Sequence, residues 1–423
     1  MRYNVWFRAI LALIVLITIS SILKWSSLPL DNTTFWWIVQ ASFLTIFVVL
    51  KLKYSTFFKI EKAWVVKCYL VWNSICIIRG VFIAENYWEW KNLVGTSMSI
   101  LLPLIVFVFQ RKVLVRYIYF YWLRICIPLF FVLSPTFTYS DAVGRYLMPI
   151  SLLLLFFPII PFKWKLILLS LSLLVFLSDL NARSNVIKFI VPLLLGLVAY
   201  LPSLVSSRKL KIARMSLLLM PFLLLFLGIS GVFNIFKMDD YISGDYSVNV
   251  VENGKVEKGD LIADTRTFLY VEVVQSAIKY NYYLFGRTPA RGNESDSFGW
   301  KNKELLKIST NERFANEVSI LNVFTWTGIV GVFLYFILFA SASHLAINRS
   351  KNNYVKIVGV YIAFRWAYSW VEDFNIFDVS YLFLWILLGV CFSREFRSMD
   401  DIDFKNWFQL IFKEKKRQPS IRS

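Results

Sequence analysis

The chain has one histidine, four cysteines and only 27 acidic residues among 423. Each shortage excludes something. His344 stands alone at the far end of an apolar run, so a histidine base or a histidine-held metal in the polar part of the chain is excluded by inventory. Cys68, Cys76, Cys126 and Cys391 all fall inside apolar runs, and nothing suggests a disulfide framework or a Cys/His metal site. Acidic residues are outnumbered by 46 Lys and Arg, for a net charge of +19.

Apolar residues fill the rest. At 58% hydrophobic, 18% aromatic and a mean hydropathy of +0.59, the composition exceeds what a soluble core can bury. A span needs about 20 apolar residues to cross the hydrocarbon. On that measure spans are predicted near 6–23, 34–50, 63–84, 93–109, 117–133, 146–161, 164–180, 186–203, 215–236, 318–345, 354–370 and 379–393. The expected fold is an all-α polytopic membrane protein of about twelve transmembrane helices, with a large loop domain between spans nine and ten. Residues 1–236 carry nine spans, 237–317 the loop domain, 318–393 three spans and 394–423 a basic tail. Arg2, Arg8 and the apolar run to Leu23 resemble a signal peptide, but no small-x-small cleavage pattern follows, so a retained first helix is expected.

The positive charge is distributed by side, not concentrated for a polyanion. Segments on one side of the predicted spans hold 26 of the 46 basic residues, while the short loops opposite hold four, Lys24, Lys91, Arg145 and Arg183. This asymmetry places both termini in the cytoplasm and the insert outside. The insert 237–316 itself carries 11 basic and 12 acidic residues, too balanced for a nucleic-acid clamp.

Within the insert, Val248–Val251 and Val256 flank Asn253-Gly254, a hairpin signal. Asp264-Thr265-Arg266 followed by Phe268, Leu269, Val271, Val273 and Ala277 predicts an amphipathic helix capped by Asp264 or Thr265. Leu284-Phe-Gly-Arg-Thr-Pro-Ala-Arg-Gly292 is a tight-turn loop, and 293–310 reads as polar and mobile. The aromatics Tyr87, Trp88 and Trp90 suit either sugar stacking or an interfacial belt.

Ionisable residues in or beside spans are costly and become functional candidates. Arg183 and Arg266 both lie where outer helices begin, where unpaired N–H groups and a planar guanidinium suit an anion such as pyrophosphate. Arg287 and Arg291 sit in the glycine-rich loop; each arginine alone also fits a surface charge or a helix-end pair. Arg365 stands seven residues before Glu372, the spacing of an internal ion pair if the helix continues that far.

Four short stretches occur in a fixed order: Ala182-Arg183-Ser184, Arg266-Thr-Phe-Leu269, Leu284-Phe-Gly-Arg287, and Glu317-Val-Ser-Ile-Leu321 running into Gly328-Ile-Val-Gly331. With the long outer loop before a late span, they resemble the O-antigen polymerase and ligase superfamily of bacterial inner-membrane glycan transferases. The resemblance implies polymerisation of undecaprenyl pyrophosphate-linked oligosaccharide repeat units on the periplasmic face, without metal or other cofactor. It casts Glu317 as the catalytic base and Arg183 and Arg266 as pyrophosphate ligands; Arg287, Arg291 and Arg365 stand beside them as further candidate substrate contacts. Ligases of the superfamily use a histidine–asparagine pair where this chain has Glu317-Val318, which favours a polymerase. Expected partners are membrane lipids, the lipid-linked substrate, a flippase and a chain-length regulator, and no nucleic acid. Ligase-type transfer to another acceptor, and a flippase or exporter, stand as the alternatives.

Overall fold

Helices form over every one of the twelve apolar stretches, because in an apolar environment a backbone must satisfy its own hydrogen bonds. The computed structural model describes residues 3–54, 60–178, 183–201, 203–237, 240–241, 247–252, 255–260, 264, 266–307 and 310–413. In chain order the first nine helices are α1 (Tyr3–Ser20), α2 (Thr33–Lys53), α3 (Ala63–Ile83), α4 (Tyr87–Leu101), α5 (Lys112–Leu133), α6 (Asp141–Leu153), α7 (Phe162–Ser178), α8 (Arg183–Val198) and α9 (Ser207–Ile229). The insert contributes α10 (Thr267–Lys279) and α11 (Gly299–Leu306). The chain ends in α12 (Ser319–Arg349), α13 (Asn353–Tyr368), α14 (Val379–Phe392), α15 (Arg394–Arg397) and α16 (Asp401–Gln409). Among the described residues, eight helical segments are long and apolar enough to cross a membrane, which is compatible with a multi-pass membrane protein. Helices α4 and α6 reach that length through 3-10 turns that carry them to Phe107 and Ile159, whereas α7, α8, α13 and α14 are shorter.

Burial sorts these helices. On α14 every residue but Ser380 is buried, as expected of a helix that is apolar all round. Its start is fixed by Asp378, whose side chain accepts from Tyr381 N at 2.8 Å. By contrast α9 buries only 11% of its most apolar window and leaves Phe226 and Ile229 exposed, a helix facing lipid.

The expected hairpin is present: β1 (Ser247–Glu252) pairs antiparallel with β2 (Lys255–Asp260), Val251 opposite Val256. The expected amphipathic helix is α10, with Asp264 Oδ1 accepting from Thr267 N at 2.9 Å and Arg266 N at 3.0 Å. Thr265 lies outside the described residues. Leu269 and Val273 are fully buried in the same core as the bundle, so α10 is docked onto it. Within the stretch expected to be mobile, the described residues 293–307 are folded. Strands β3 (Asn293–Glu294) and β4 (Glu312–Arg313) pair, and Glu272 of α10 accepts from Ser295 Oγ at 2.6 Å and Ser297 N at 2.9 Å. Sequence polarity concealed this because the partners are themselves polar side chains.

The first glycine of Gly328-Ile-Val-Gly331 is not an ordinary helical position. At Gly328 (φ +68°, ψ −171°) helix α12 is broken, and the 283–286 turn docks into the gap. Ile329 N donates to Tyr283 O at 2.9 Å, Arg287 N to Thr325 O at 2.6 Å, and Trp72 Nε1 to Thr327 O at 2.9 Å. Arg79, a basic residue within α3, donates to the carbonyls of Phe285 (2.7 Å) and Gly286 (3.2 Å). Irregular backbone at membrane depth survives only when protein satisfies it in this way. A Cβ at Gly328 would strike the Leu284 carbonyl, in a backbone region that other residues avoid. Gly328→Ala is therefore expected to cost about 1–3 kcal/mol, seen as a lower unfolding temperature of the detergent-solubilised protein. Gly95→Ala, whose Cβ would meet only Trp37 Nε1 at 4.0 Å, is the control; equal behaviour of the two would remove the break from the account.

Candidate functional site

The start of α12 is built by three asparagines and the α13–α14 connection. Asn316 N donates to Asn322 Oδ1 at 2.6 Å, Asn322 Nδ2 returns to Asn316 O at 2.8 Å, and Asn316 Nδ2 reaches Asn293 Oδ1 at 2.9 Å. The first helical N–H groups, which have no partner within the helix, go to the neighbouring connection: Ser319 N to Glu372 O (3.3 Å) and Ile320 N to Ser369 O (3.0 Å). Ser319 Oγ also donates to Asp373 Oδ1 at 3.1 Å. Burial pushes the Asp373 carboxyl up to about 6, against the lowering effect of its bonds from Asn375 and Ser319. These bonds place Glu317 and Glu372 at one end of the bundle.

Five charged side chains then form a chain. Arg266 Nη1 bonds directly to Glu317 Oε2, and its Nη2 lies 3.8 Å from Glu372 Oε2. Lys188 Nζ reaches Glu372 Oε1 at 3.0 Å, and Arg313 Nη2 reaches Glu317 Oε1 at 3.1 Å. The cluster contains three cations and two carboxylates. Glu317 is its accessible member, its side chain 55% exposed against 20% for Arg266 and 12% for Lys188. Burial alone would raise the Asp264 carboxyl, but its bonds from Thr267 and Arg266 hold it below the usual range, keeping the anion that sets the start of α10 beneath Arg266. An apolar groove of about 230 Å³ adjoins this end of α10, lined by Met220, Pro221 and Ile229 of α9, by Thr267 and Tyr270, and by Trp370. Ile229 is 78% exposed, so the groove opens along the lipid-facing side of α9.

The residues singled out from sequence divide. Arg266 and Glu317 meet. Arg183 opens α8, one helical turn and a little more before Lys188, but its side chain lies outside the described residues. Arg287 and Arg291 meet Glu312 instead: Arg287 Nη2 lies 2.9 Å and Arg291 Nη2 2.5 Å from Glu312 Oε1, and Arg291 Nη1 lies 3.4 Å from Glu89. Glu312 is 2% exposed, so this is a buried brace holding the Leu284–Gly292 loop to β4.

Arg365 requires a correction. It does not pair with Glu372 and does not face the cluster; it is 1% exposed, its guanidinium 4.0 Å from the centre of the Phe374 ring. Helix α13 stops at Tyr368, where Ser369 N turns back to Arg365 O, so Glu372 leaves the shared face and swings to Lys188 and Arg266. Lys188, Arg313 and Glu372 complete the cluster unforeseen. The four-residue spacing of Arg313 and Glu317 was a usable signal; nothing local points Lys188 at Glu372, 184 residues away.

Among the described residues no group of His, Cys, Asp and Glu is arranged to hold a metal ion. Comparison with family models, with characterised proteins and with solved structures finds no match.

Proposed function

We propose that the chain transfers glycan from a polyprenyl pyrophosphate carrier, polymerising lipid-linked oligosaccharide repeat units on the outer face of a bacterial inner membrane. The observation that carries this reading is the direct Arg266–Glu317 contact within a charged cluster beside a lipid-facing apolar groove. A substrate with a pyrophosphate head and an isoprenoid tail asks for those two surfaces side by side. The basic residues support the orientation: Arg111, Arg349, Arg394 and Arg397 gather at the opposite end of the bundle, around Glu61 and Glu395. In this reading the helices span twelve times and both termini are cytoplasmic.

The mechanism needs positioning, one base and one stabilised leaving group. Both Glu317 oxygens are occupied by Arg266 and Arg313. An arriving pyrophosphate competes for the Arg266 guanidinium, with bidentate geometry in its favour, and so frees a Glu317 oxygen when substrate is present. The acceptor hydroxyl oxygen then attacks the anomeric carbon and passes its proton to Glu317. The bond from that carbon to the phosphate oxygen breaks, its electron pair leaving with the pyrophosphate, whose charge Arg266 and Lys188 stabilise, with Arg183 at the head of α8. Attack opposite the leaving group inverts the anomeric centre. Glu372 keeps Lys188 and Arg266 together through the exchange.

Arg266→Ala is expected to abolish polymer formed from lipid-linked repeat units in reconstituted vesicles. Arg266→Lys should recover little, because an ammonium lacks the planar fork. A normal ladder of products from the alanine variant would overturn the proposal. The interruption of α12 at Gly328 is one feature that favours the transporter reading, since transporters use broken helices at their sites. Vesicles that move the lipid-linked oligosaccharide across the bilayer without lengthening it would decide for that alternative.

A further inference from the structure

A second cluster of arginines lies at the other end of the molecule. The segment before α3, the end of α12 and the start of α15 converge there on a cleft of about 380 Å³ lined by Ile60, Glu61, Arg349 and Arg394. Arg397, its side chain 4% exposed, donates to Glu61 Oε2 at 2.7 Å from behind. Its Nε is buried without a hydrogen-bond partner. Burial would raise the Glu61 carboxyl, but Arg397, Arg349 and Arg394 together hold it below the ordinary range, which puts all three arginines within one field. One carboxylate among three guanidinium groups leaves the cleft cationic. Arg349 and Arg394 are exposed and, among the described residues, neither lies within ion-pair distance of a carboxylate.

We propose that this cleft binds the phosphate of an anionic phospholipid in the leaflet at that end of the bundle. Two exposed guanidinium groups suit a phosphate diester's paired oxygens. Ile60 supplies an apolar wall, and the cleft lies at the ends of spanning helices, where a headgroup resides and where surface arginines draw anionic lipid. Glu61, held by Arg397, fixes the floor of the cleft. The site is independent of the glycan-transfer reading, since it lies at the opposite end of α12 from Glu317.

The test uses the full chain purified in detergent, with its unfolding temperature followed as dioleoyl phosphatidylglycerol, dioleoyl phosphatidylcholine or inorganic phosphate is added at matched ionic strength. Phosphatidylglycerol should raise the unfolding temperature above the level reached with phosphatidylcholine, and inorganic phosphate should not. Each of Arg349→Gln and Arg394→Gln should weaken the phosphatidylglycerol response by about fivefold, the effect of one surface arginine on anionic lipid. Lys405→Gln, which removes an exposed charge from α16, should leave the response unchanged. A full response in the double Arg349→Gln, Arg394→Gln variant would overturn the site, as would an equal loss from Lys405→Gln. A rise with inorganic phosphate equal to that with the lipid would overturn the lipid as its source. Should the double variant fail to fold, Arg394→Gln alone carries the test, because that side chain is exposed and makes no ion pair among the described residues.

Discussion

Glu317→Gln is expected to cost about 10²–10⁴-fold in chain elongation, the usual loss when a positioned proton acceptor is removed. The protein should still reach the membrane in normal amount. The side chain is 55% exposed, so losing its charge forfeits two partly solvated ion pairs, worth about 0–1 kcal/mol each. Arg266 keeps Glu372 at 3.8 Å as a counter-charge, and Arg313 keeps its Nε bond to Ala315 O at 3.1 Å and its place 4.6 Å from the centre of the Phe298 ring. Activity and stability should therefore separate, and the pair of measurements is decisive. Near-normal elongation by the glutamine variant would reduce Glu317 to a charge at a helix start, favoured by the dipole by about 0.3–1 kcal/mol. A loss of activity that merely tracked a loss of folded protein would say the same.

Glu312→Gln should have the largest effect on stability, about 3–5 kcal/mol, the cost of leaving buried charge without its partner. One buried carboxylate takes Arg287 at 2.9 Å and Arg291 at 2.5 Å, and accepts from Gly292 N at 3.3 Å. With that carboxylate neutral, Arg291 retains only Glu89 at 3.4 Å, and Arg287 its bond to Gly292 O at 2.8 Å. The loop they brace carries Gly286, which seats the turn in the α12 break, so the loosening should spread to Gly328. Thermal unfolding and hydrogen exchange of residues 284–292 would measure it. Unchanged exchange there would mean that the loop is held by the Arg79 and Trp72 contacts alone. The same comparison separates two roles for Arg287 and Arg291. As braces, their alanine variants lose stability; as substrate contacts, they would lose activity with stability intact.

Much of this protein was legible along the chain. Each apolar run read from the sequence carries helix, eight segments being long and apolar enough to cross a membrane, because an apolar run has few choices beyond satisfying its own backbone. Asn253-Gly254 between β-branched residues announced the β1–β2 hairpin, and Asp264 before an amphipathic stretch announced α10, since turn and cap chemistry acts over three or four residues. The stretches Arg266–Leu269 and Glu317–Leu321 also drew attention to the two residues that meet. What the sequence by itself determined was thus element position and the chemistry available at the ends of helices.

Partners were decided only in three dimensions. Arg365 and Glu372 had the spacing of a pair, but α13 ended three residues after the arginine and sent the glutamate to Lys188 and Arg266. Arg287 and Arg291 stood without a local partner in a glycine-rich loop until Glu312, 21 residues beyond Arg291, folded back to meet both. Gly328 lay inside a predicted span, 318–345, yet the 283–286 turn enters the helix there. In each case the deciding quantity was which distant backbone lay alongside. A span's apolar pattern is a property of neighbouring residues and survives any arrangement of the bundle; the partner of a charge depends on the arrangement itself, because its field and its hydrogen bonds reach whatever the fold brings within a few ångströms.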